Sequence, residues 1–209
     1  MKEIFLPGFL GNWTSFLLPE NGEFREGIAA LLHWVEGHYG PGPHDWVGYS
    51  MGGRLALAIA VWYPEWVSKL TLISASPGLE DPVARSARYA ADLQLADRLE
   101  TEPLSEFLRS WYDQQIFTSL KASPNFESVM RERLKIDPHF QAQLMRVFSV
   151  GHQPSFWEAL PALAFPVKLM TGDLDPHYTQ IAQRMCKLNP KFEWRRVPGV
   201  GHALLQEAH

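Results

Sequence analysis

Cysteine is almost absent from this sequence of 209 residues, which contains Cys186 and no second cysteine. An intramolecular disulfide is therefore excluded, and the chain is not a small secreted scaffold that depends on disulfide bonds. Cys186 lies in a helical pattern, so we expect it to pack in a core rather than to react. The low cysteine content is typical of a reducing compartment, and we expect a cytoplasmic location.

The sequence also lacks a long apolar run and a dense cluster of lysine or arginine. Apolar residues 4–6 are interrupted by Pro7 and Gly8, which makes the run too short for a signal-peptide core, and nowhere do 18 apolar residues follow one another. The net charge is −4, and the pI is about 6.1. We therefore expect neither a membrane nor nucleic acid as a partner.

Two further absences concern bound groups. No set of His, Cys and Asp residues has the spacing of a metal site. Neither a phosphate-binding loop nor a dinucleotide-binding fingerprint occurs. We therefore expect no metal and no cofactor.

Apolar patterns alternate between the strand and helix periods along most of the chain. Short buried strands are indicated at residues 4–6, 46–47, 69–73, 167–170 and 192–197, with helical patterns between them. Residues 81–160 carry helical signals alone. This order predicts an α/β fold with a mostly parallel sheet flanked by helices. We expect one domain, with a core of residues 1–79 and 161–209 and a helical lid of residues 80–160.

The segment around Ser50 carries the strongest chemical signal. Ser50 lies between Gly48 and Gly52, directly after a short strand and directly before a helix-forming run. This pattern is typical of a nucleophile elbow, in which a strained serine projects its hydroxyl above the sheet. A side chain at either flanking glycine would collide where strand and helix pass closely.

A serine hydroxyl becomes a nucleophile or a base when an imidazole accepts its proton and a carboxylate holds that imidazole. In this architecture the chain order is serine, acid, histidine, which Ser50, Asp175 and His202 satisfy. Asp175 follows the strand at 167–170 and His202 follows the next strand, so both are expected at the edge of the sheet where Ser50 lies. Asp173 shares the turn with Asp175 and is the alternative acid.

Negative charge that develops on a substrate oxygen needs backbone N–H donors. Met51, the residue after Ser50, is expected to supply one donor. The loop after the first strand is expected to supply the other at Phe9. The alternative for Phe9 is a purely hydrophobic contact with the lid.

Several of these segments resemble the α/β-hydrolase superfamily, and within it the 2-succinyl-6-hydroxy-2,4-cyclohexadiene-1-carboxylate synthases of menaquinone biosynthesis. Ser-Pro-Gly-Leu at 76–79, Trp-Tyr-x-Gln at 111–114 and Gln-Pro-Ser-x-Trp at 153–157 point to this branch. The remaining similar segments are 8–11, 48–54, Arg88 with Asp92 and Ala96, 115–117, 151–152 and 172–175.

The resemblance implies a lyase, in which the triad removes a proton from a polycarboxylate substrate and pyruvate is expelled. It further implies that Arg54 and Arg88 bind the substrate, with Arg85 as a substitute for Arg88. Trp111 and Tyr49 match aromatic wall residues of the family. The expected partner is thus a small-molecule polycarboxylate, and the expected assembly is a monomer or a weak homo-oligomer.

The sequence departs from the family pattern in three places. Pro7-Gly8 stands where the family usually has His-Gly. Gly8 and Ser50 are 42 positions apart, which predicts a shortened N-terminal half with one strand–helix unit fewer, because each crossover needs about 10–12 residues. Residues 12–19 are interpreted as the remains of that strand. Seven residues follow His202, so we expect a short or absent terminal helix.

Two other functions remain open. A carboxylesterase for small acyl esters would use the same triad, with Ser50 acylated. A non-catalytic binding protein of the same fold is the other alternative.

Overall fold

The computed structural model describes residues 2–13, 16–19 and 22–207. Its centre is a sheet of five parallel strands, in which each strand pairs with the next one along the chain. The strands are β1 (Glu3–Leu6), β2 (His44–Tyr49), β3 (Val67–Ile73), β4 (Val167–Gly172) and β5 (Glu193–Val197). The sequence predicted all five, and the α/β architecture with a parallel sheet is confirmed.

The helices connect these strands. They are α1 (Phe24–Tyr39), α2 (Met51–Trp62), α3 (Pro82–Thr101), α4 (Leu104–Tyr112), α5 (Thr118–Ala122), α6 (Phe126–Arg133), α7 (Pro138–Phe148), α8 (Pro176–Leu188) and α9 (Leu204–Glu207). Short 3₁₀ helices occupy Pro64–Trp66, Gln115–Phe117 and Trp157–Ala162. Local signals set several helix starts: Asp81, Asp137 and Asp175 each accept backbone N–H groups of the first turn, and each is followed by proline.

The main hydrophobic core lies on one face of the sheet. Ile4, Trp46, Leu70 and Leu169 point to this face and pack against α1, α2 and α8. The alternating residues of the same strands point to the opposite face, where Phe5 is 49% exposed and several charged side chains reach solvent. The structure thus has one sheet face that is largely covered by helices and one more open face.

The N-terminal half is short, as the interval between Gly8 and Ser50 predicted. Among the described residues between β1 and β2, α1 is the single helix. No strand occurs at residues 12, 13 and 16–19, while Thr14 and Ser15 lie outside the described residues. Phe16 instead packs its ring against Trp34 of α1 and Phe140 of α7.

The segment between β3 and β4 contains helices joined by turns and no strand, from α3 to the 3₁₀ helix at Trp157–Ala162. Helices α3 and α7 pack along each other. The segment has a core cluster of its own, including Leu99, Phe107 and Leu120, which also receives Leu10 from the loop after β1. We call residues 80–160 the lid, because its side chains close the space above the carboxyl ends of the strands.

Across the part of the chain that the structure describes, no helix is long and apolar enough to cross a membrane. The last helix within the described residues, α9, is four residues long.

Candidate active site

Ser50 stands at the sharp turn between β2 and α2. Its backbone has φ 50° and ψ −111°, an unusual conformation for a residue with a side chain. The Ser50 N–H donates to Ile73 O at 2.8 Å, which fixes the turn to β3. A Cβ on Gly48 would lie 2.5 Å from Gly52 O, and one on Gly52 would contact Leu6 O. The predicted elbow is therefore present, and close backbone approach explains both glycines.

His202 and Asp175 complete a line of hydrogen bonds that begins at Ser50. The Ser50 Oγ lies 3.1 Å from His202 Nε2, and His202 Nδ1 lies 3.1 Å from Asp175 Oδ2. The side chains of His202 and Asp175 are each about 95% buried. The carboxylate favours the tautomer in which Nδ1–H donates to Asp175, leaving Nε2 free to accept the serine proton. The structure thus brings together the three side chains that the sequence singled out.

The hydrogen bonds of the two candidate acids show which of them pairs with His202. Asp175 begins α8, where its Oδ1 accepts the Tyr178 N–H at 3.1 Å while its Oδ2 faces His202. Asp173 instead accepts the Gly199 N–H at 2.8 Å. Asp173 therefore holds the loop after β5, and Asp175 is the carboxylate paired with the imidazole.

The loop carrying His202 is fixed by a buried carboxylate. Glu207 of α9 accepts the Gly201 N–H at 2.8 Å and the Ser119 hydroxyl at 3.0 Å. Ser119 belongs to α5 of the lid. One side chain therefore connects the histidine loop to both α9 and the lid, and no local sequence pattern indicates this role.

Phe9 and Met51 both lie at the cavity above Ser50. Met51 is the first residue of α2, so its N–H has no acceptor within the helix. Within residues 2–13, 16–19 and 22–207, no hydrogen bond occupies the Phe9 N–H. This arrangement is consistent with the predicted pair of donors for a substrate oxygen.

A lid residue holds the loop that contains Phe9. The Gln141 side chain of α7 accepts the Leu10 N–H at 3.0 Å and donates to Gly11 O at 3.2 Å. Leu10 is fully buried, with φ 61°. Gln141 therefore fixes the loop in an unusual conformation. It sits 130 residues away in sequence, so sequence reasoning did not find it.

Arg54 is 9% exposed and lies in the wall of the same cavity. Its guanidinium donates to Gln153 Oε1 at 2.7 Å and to Phe148 O at 2.8 Å, both neutral acceptors. Among the described residues, no carboxylate forms an ion pair with it. Burial is the main reason why the pKa of Arg54 falls to about 10, and the Arg88 charge acts in the same direction, whereas Tyr178 and the Asp92 charge oppose it. Arg54 still carries a positive charge at neutral pH, and it lacks an anionic partner.

Arg88 reaches the cavity from α3 of the lid. Its Nε donates to Asp92 Oδ1 at 2.8 Å, and its side chain remains 48% exposed. Asp92 is buried and also accepts the Ser149 hydroxyl at 2.6 Å. Arg85 does not line this cavity. The structure therefore places Arg88, rather than its substitute, near Ser50.

Aromatic side chains form the other walls. Trp111 packs edge-on against Phe9 at a ring distance of 4.9 Å. Tyr49 is buried, with its ring 5.8 Å from that of His202. Burial is also the main reason why the pKa of Tyr49 rises far above its ordinary value, so Tyr49 is neutral. Both residues line the space beside Ser50, as the resemblance implied.

Two further residues border the site without having been predicted. Tyr178 lies in the wall with Arg54 and Arg88. Arg133 of α6 lines the small cavity beside Ser50 and donates through Nε to the Tyr112 hydroxyl at 3.3 Å. The lid has several arginines of similar sequence context, so a single sequence could not show that Arg133 faces inward.

The main cavity has a volume of about 160 Å³. Gln114 and Ile116 line both this cavity and an outer groove of about 720 Å³. The site therefore combines a serine–histidine base, backbone donors, cations and aromatic walls. No group of three His, Cys, Asp or Glu side chains in the described part of the chain could hold a metal ion.

Comparison with known proteins gives consistent similarities. A model of the alpha/beta hydrolase family matches residues 6–209. Protein PHYLLO, chloroplastic, from Arabidopsis thaliana is 35% identical over 88% of this chain. The 2-succinyl-6-hydroxy-2,4-cyclohexadiene-1-carboxylate synthase of Salmonella heidelberg is 34% identical over 66% of this chain. The matched regions span 11% of the Arabidopsis protein and 55% of the Salmonella protein.

A solved structure described as MenH from S. aureus is similar over nearly the whole chain. The TM-score is 0.89 and the sequence identity is 25%. The similarity covers 99% of this chain and 88% of the S. aureus chain. The described elements are therefore arranged as in that protein.

Proposed function

The chain belongs to the alpha/beta hydrolase family, and from this premise we propose that it is a lyase of menaquinone biosynthesis. The proposed substrate is 2-succinyl-5-enolpyruvyl-6-hydroxy-3-cyclohexene-1-carboxylate. The products are pyruvate and 2-succinyl-6-hydroxy-2,4-cyclohexadiene-1-carboxylate. The observation that carries the proposal is Arg54, a buried cation beside Ser50 and His202 that forms no ion pair with any carboxylate among the described residues.

The difference between substrate and product defines the chemical step. As His202 takes the Ser50 proton, Ser50 Oγ removes the proton at ring carbon 2, next to the succinyl ketone. The electron pair forms the 2,3 double bond, the former 3,4 double bond moves to 4,5, and the bond from carbon 5 to the enolpyruvyl oxygen breaks. His202 returns a proton to the departing group, which tautomerises to pyruvate. The ketone oxygen gains negative charge meanwhile, and the Phe9 and Met51 N–H groups would stabilise it.

The cations of the cavity support a substrate with several carboxylates. A buried guanidinium is costly unless it is paired, so Arg54 favours an anionic ligand over a neutral one. Arg88 forms an ion pair with Asp92, but about half of its side-chain surface remains exposed and can contact a ligand. Arginine can bind a carboxylate through two parallel hydrogen bonds, a geometry that lysine does not reproduce. A small neutral ester would leave Arg54 without an anion and would use no charge of Arg88.

The direct test is to mix the purified protein with the proposed substrate. Pyruvate release and the absorbance of the new diene are followed together, with Ser50→Ala as the inactive control. We expect both signals to rise in parallel in the parent protein and to be lost in the variant. An acyl-enzyme burst with nitrophenyl acetate and no pyruvate release would instead favour the esterase.

The cation requirement gives a second test. Arg88→Ala should reduce kcat/KM for elimination by about 10- to 1,000-fold, or roughly 1.4–4 kcal/mol, because one carboxylate contact is lost. The loss on nitrophenyl acetate should be much smaller. Arg98→Ala is the matched control, since Arg98 lies on the same helix but pairs with Glu102 away from the cavity. Equal losses on both substrates would contradict the role of Arg88.

A further inference from the structure

Tyr178 is fixed by two members of the Ser50–His202–Asp175 unit. It lies in the first turn of α8, where its backbone N–H donates to Asp175 Oδ1 at 3.1 Å. Its ring lies 4.6 Å from the ring of His202. Because its backbone and its ring both make contacts, the fold determines the direction in which its phenol group points.

The phenol group of Tyr178 borders the cavity that contains Arg54, Arg88 and Ser50. No side chain or backbone group among residues 2–13, 16–19 and 22–207 forms a hydrogen bond with its hydroxyl. The hydroxyl is also not one of the fully enclosed polar atoms without a partner. It therefore keeps some accessible surface, and because Tyr178 lines the cavity, the hydroxyl is available to a ligand there.

The Tyr178 hydroxyl is protonated and can donate a hydrogen bond. Burial is the main reason why the pKa of Tyr178 is raised, and the Asp175 charge acts in the same direction. The nearby charges of Arg54 and Arg88 oppose this change. The phenol is thus neutral at physiological pH, and it can give its proton to an anionic oxygen in a hydrogen bond.

We propose that the Tyr178 hydroxyl donates a hydrogen bond to a carboxylate of the substrate and acts, together with Arg54 and Arg88, as a specificity-determining residue. The inference rests on the proposed function in one respect, namely that the substrate is a polycarboxylate. The ring alone would be sufficient to pack against His202, so phenylalanine could serve that purpose. The hydroxyl adds a hydrogen bond to the negatively charged carboxylate of the substrate.

The test separates the hydroxyl from the ring. Tyr178→Phe keeps the ring and removes the donor, and Tyr178→Leu removes both. Tyr39→Phe is the matched control, because Tyr39 is an exposed residue at the end of α1. Two measurements are made on each protein: KM and kcat for pyruvate release from the proposed substrate, and calorimetric binding of succinate, a dicarboxylate that needs no turnover.

For Tyr178→Phe we expect KM, and the Kd of succinate, to rise by about 10- to 100-fold, as is typical for loss of a hydrogen bond to a charged group. The fall in kcat should be much smaller. Tyr178→Leu should lower kcat in addition, because His202 loses the ring beside it. Tyr39→Phe should behave like the parent protein.

The outcomes distinguish this inference from the proposed function. If Tyr178→Phe binds succinate and the substrate as tightly as the parent protein, the hydroxyl does not bind a carboxylate and the inference is wrong. If the parent protein binds succinate in a Tyr178-dependent manner but releases no pyruvate, the inference holds and the proposed lyase activity fails. If the parent protein neither binds succinate nor releases pyruvate, both are wrong.

Discussion

At the scale of single residues, the site is built around a strained serine and two buried partners. Ser50 adopts a positive φ because backbone groups on both sides fix the turn. His202 and Asp175 lie behind it in a region that excludes water. Such a line of hydrogen bonds operates as a unit, since the imidazole is a useful base when both neighbours are in place.

A double-mutant comparison tests this unit. Ser50→Ala and His202→Ala should each lower kcat by several orders of magnitude, about 10³-fold or more, because either change removes the base. The double variant should be little worse than either single one. Turnover numbers of the three variants, measured with the substrate that the parent protein accepts, provide the check. Losses that multiply in the double variant would mean that the two residues act independently.

The choice of acid gives a second residue-scale prediction. Asp175→Asn should lower kcat strongly, by roughly 10³- to 10⁴-fold, because an amide cannot stabilise the imidazolium and favours the wrong tautomer. Asp173→Asn should leave kcat within a few-fold and cost about 1 kcal/mol of stability, since it weakens one charge-assisted hydrogen bond to Gly199 N. Steady-state kinetics and urea unfolding of both variants test this. A larger loss of kcat for Asp173→Asn would reverse the assignment.

At the scale of elements, the site depends on how closely α2 approaches the strands. Gly48, Gly52 and Gly53 lie where a Cβ would meet backbone or side-chain atoms. Helix α2 therefore packs against β1 and the loop after it with almost no space between them. This approach places Met51 and Phe9 on either side of the cavity above Ser50.

Substitution of Gly52 measures this packing. Gly52→Ala should destabilise the fold by about 2–4 kcal/mol, because its Cβ would contact the carbonyl oxygens of Leu6 and Pro7. Gly37→Ala is the matched control: Gly37 is an exposed residue of α1, and a Cβ there meets no atom within 4 Å. It should stabilise the helix by about 0.5–1 kcal/mol. Urea unfolding of both variants is the measurement, and a Gly52→Ala protein as stable as the parent would contradict the packing argument.

At the scale of the whole molecule, the lid and the sheet are joined at a few buried polar contacts. Gln141 connects α7 to the loop after β1, and Glu207 connects α5 to the loop before α9. The lid therefore does more than cover the cavity. It holds the two loops that carry Phe9 and His202.

Gln141→Met tests the coupling between lid and sheet. Methionine has a similar volume but leaves the Leu10 N–H and Gly11 O without partners, which should cost about 2–4 kcal/mol of stability. kcat should fall as well, because the loop at Phe9 loses its support. Gln143→Met, an exposed position on the same helix, should change neither stability nor kcat appreciably. The idea would be wrong if Gln141→Met lost stability while kcat stayed at the parent value.

The order of the elements follows directly from the sequence. Short apolar runs, with alternation in the last of them, predicted all five strands. The helical patterns predicted between these strands are observed as α1, α2 and α8. The interpretation of residues 12–19 as the remains of a strand is wrong for residues 12, 13 and 16–19, because Phe16 packs against the distant rings of Trp34 and Phe140 instead.

What the sequence by itself determined is the chemistry with a local signature: the elbow at Ser50, the chain order of Ser50, Asp175 and His202, and the short interval before the elbow. The tertiary structure alone decided between Asp175 and Asp173, because the two side chains share one turn in the sequence and differ only in where they point in the fold. It also decided that Arg88 rather than Arg85 borders the cavity, and it revealed Gln141 and Tyr178. These residues act across long sequence separations, and such contacts depend on how helices pack rather than on any periodicity within them.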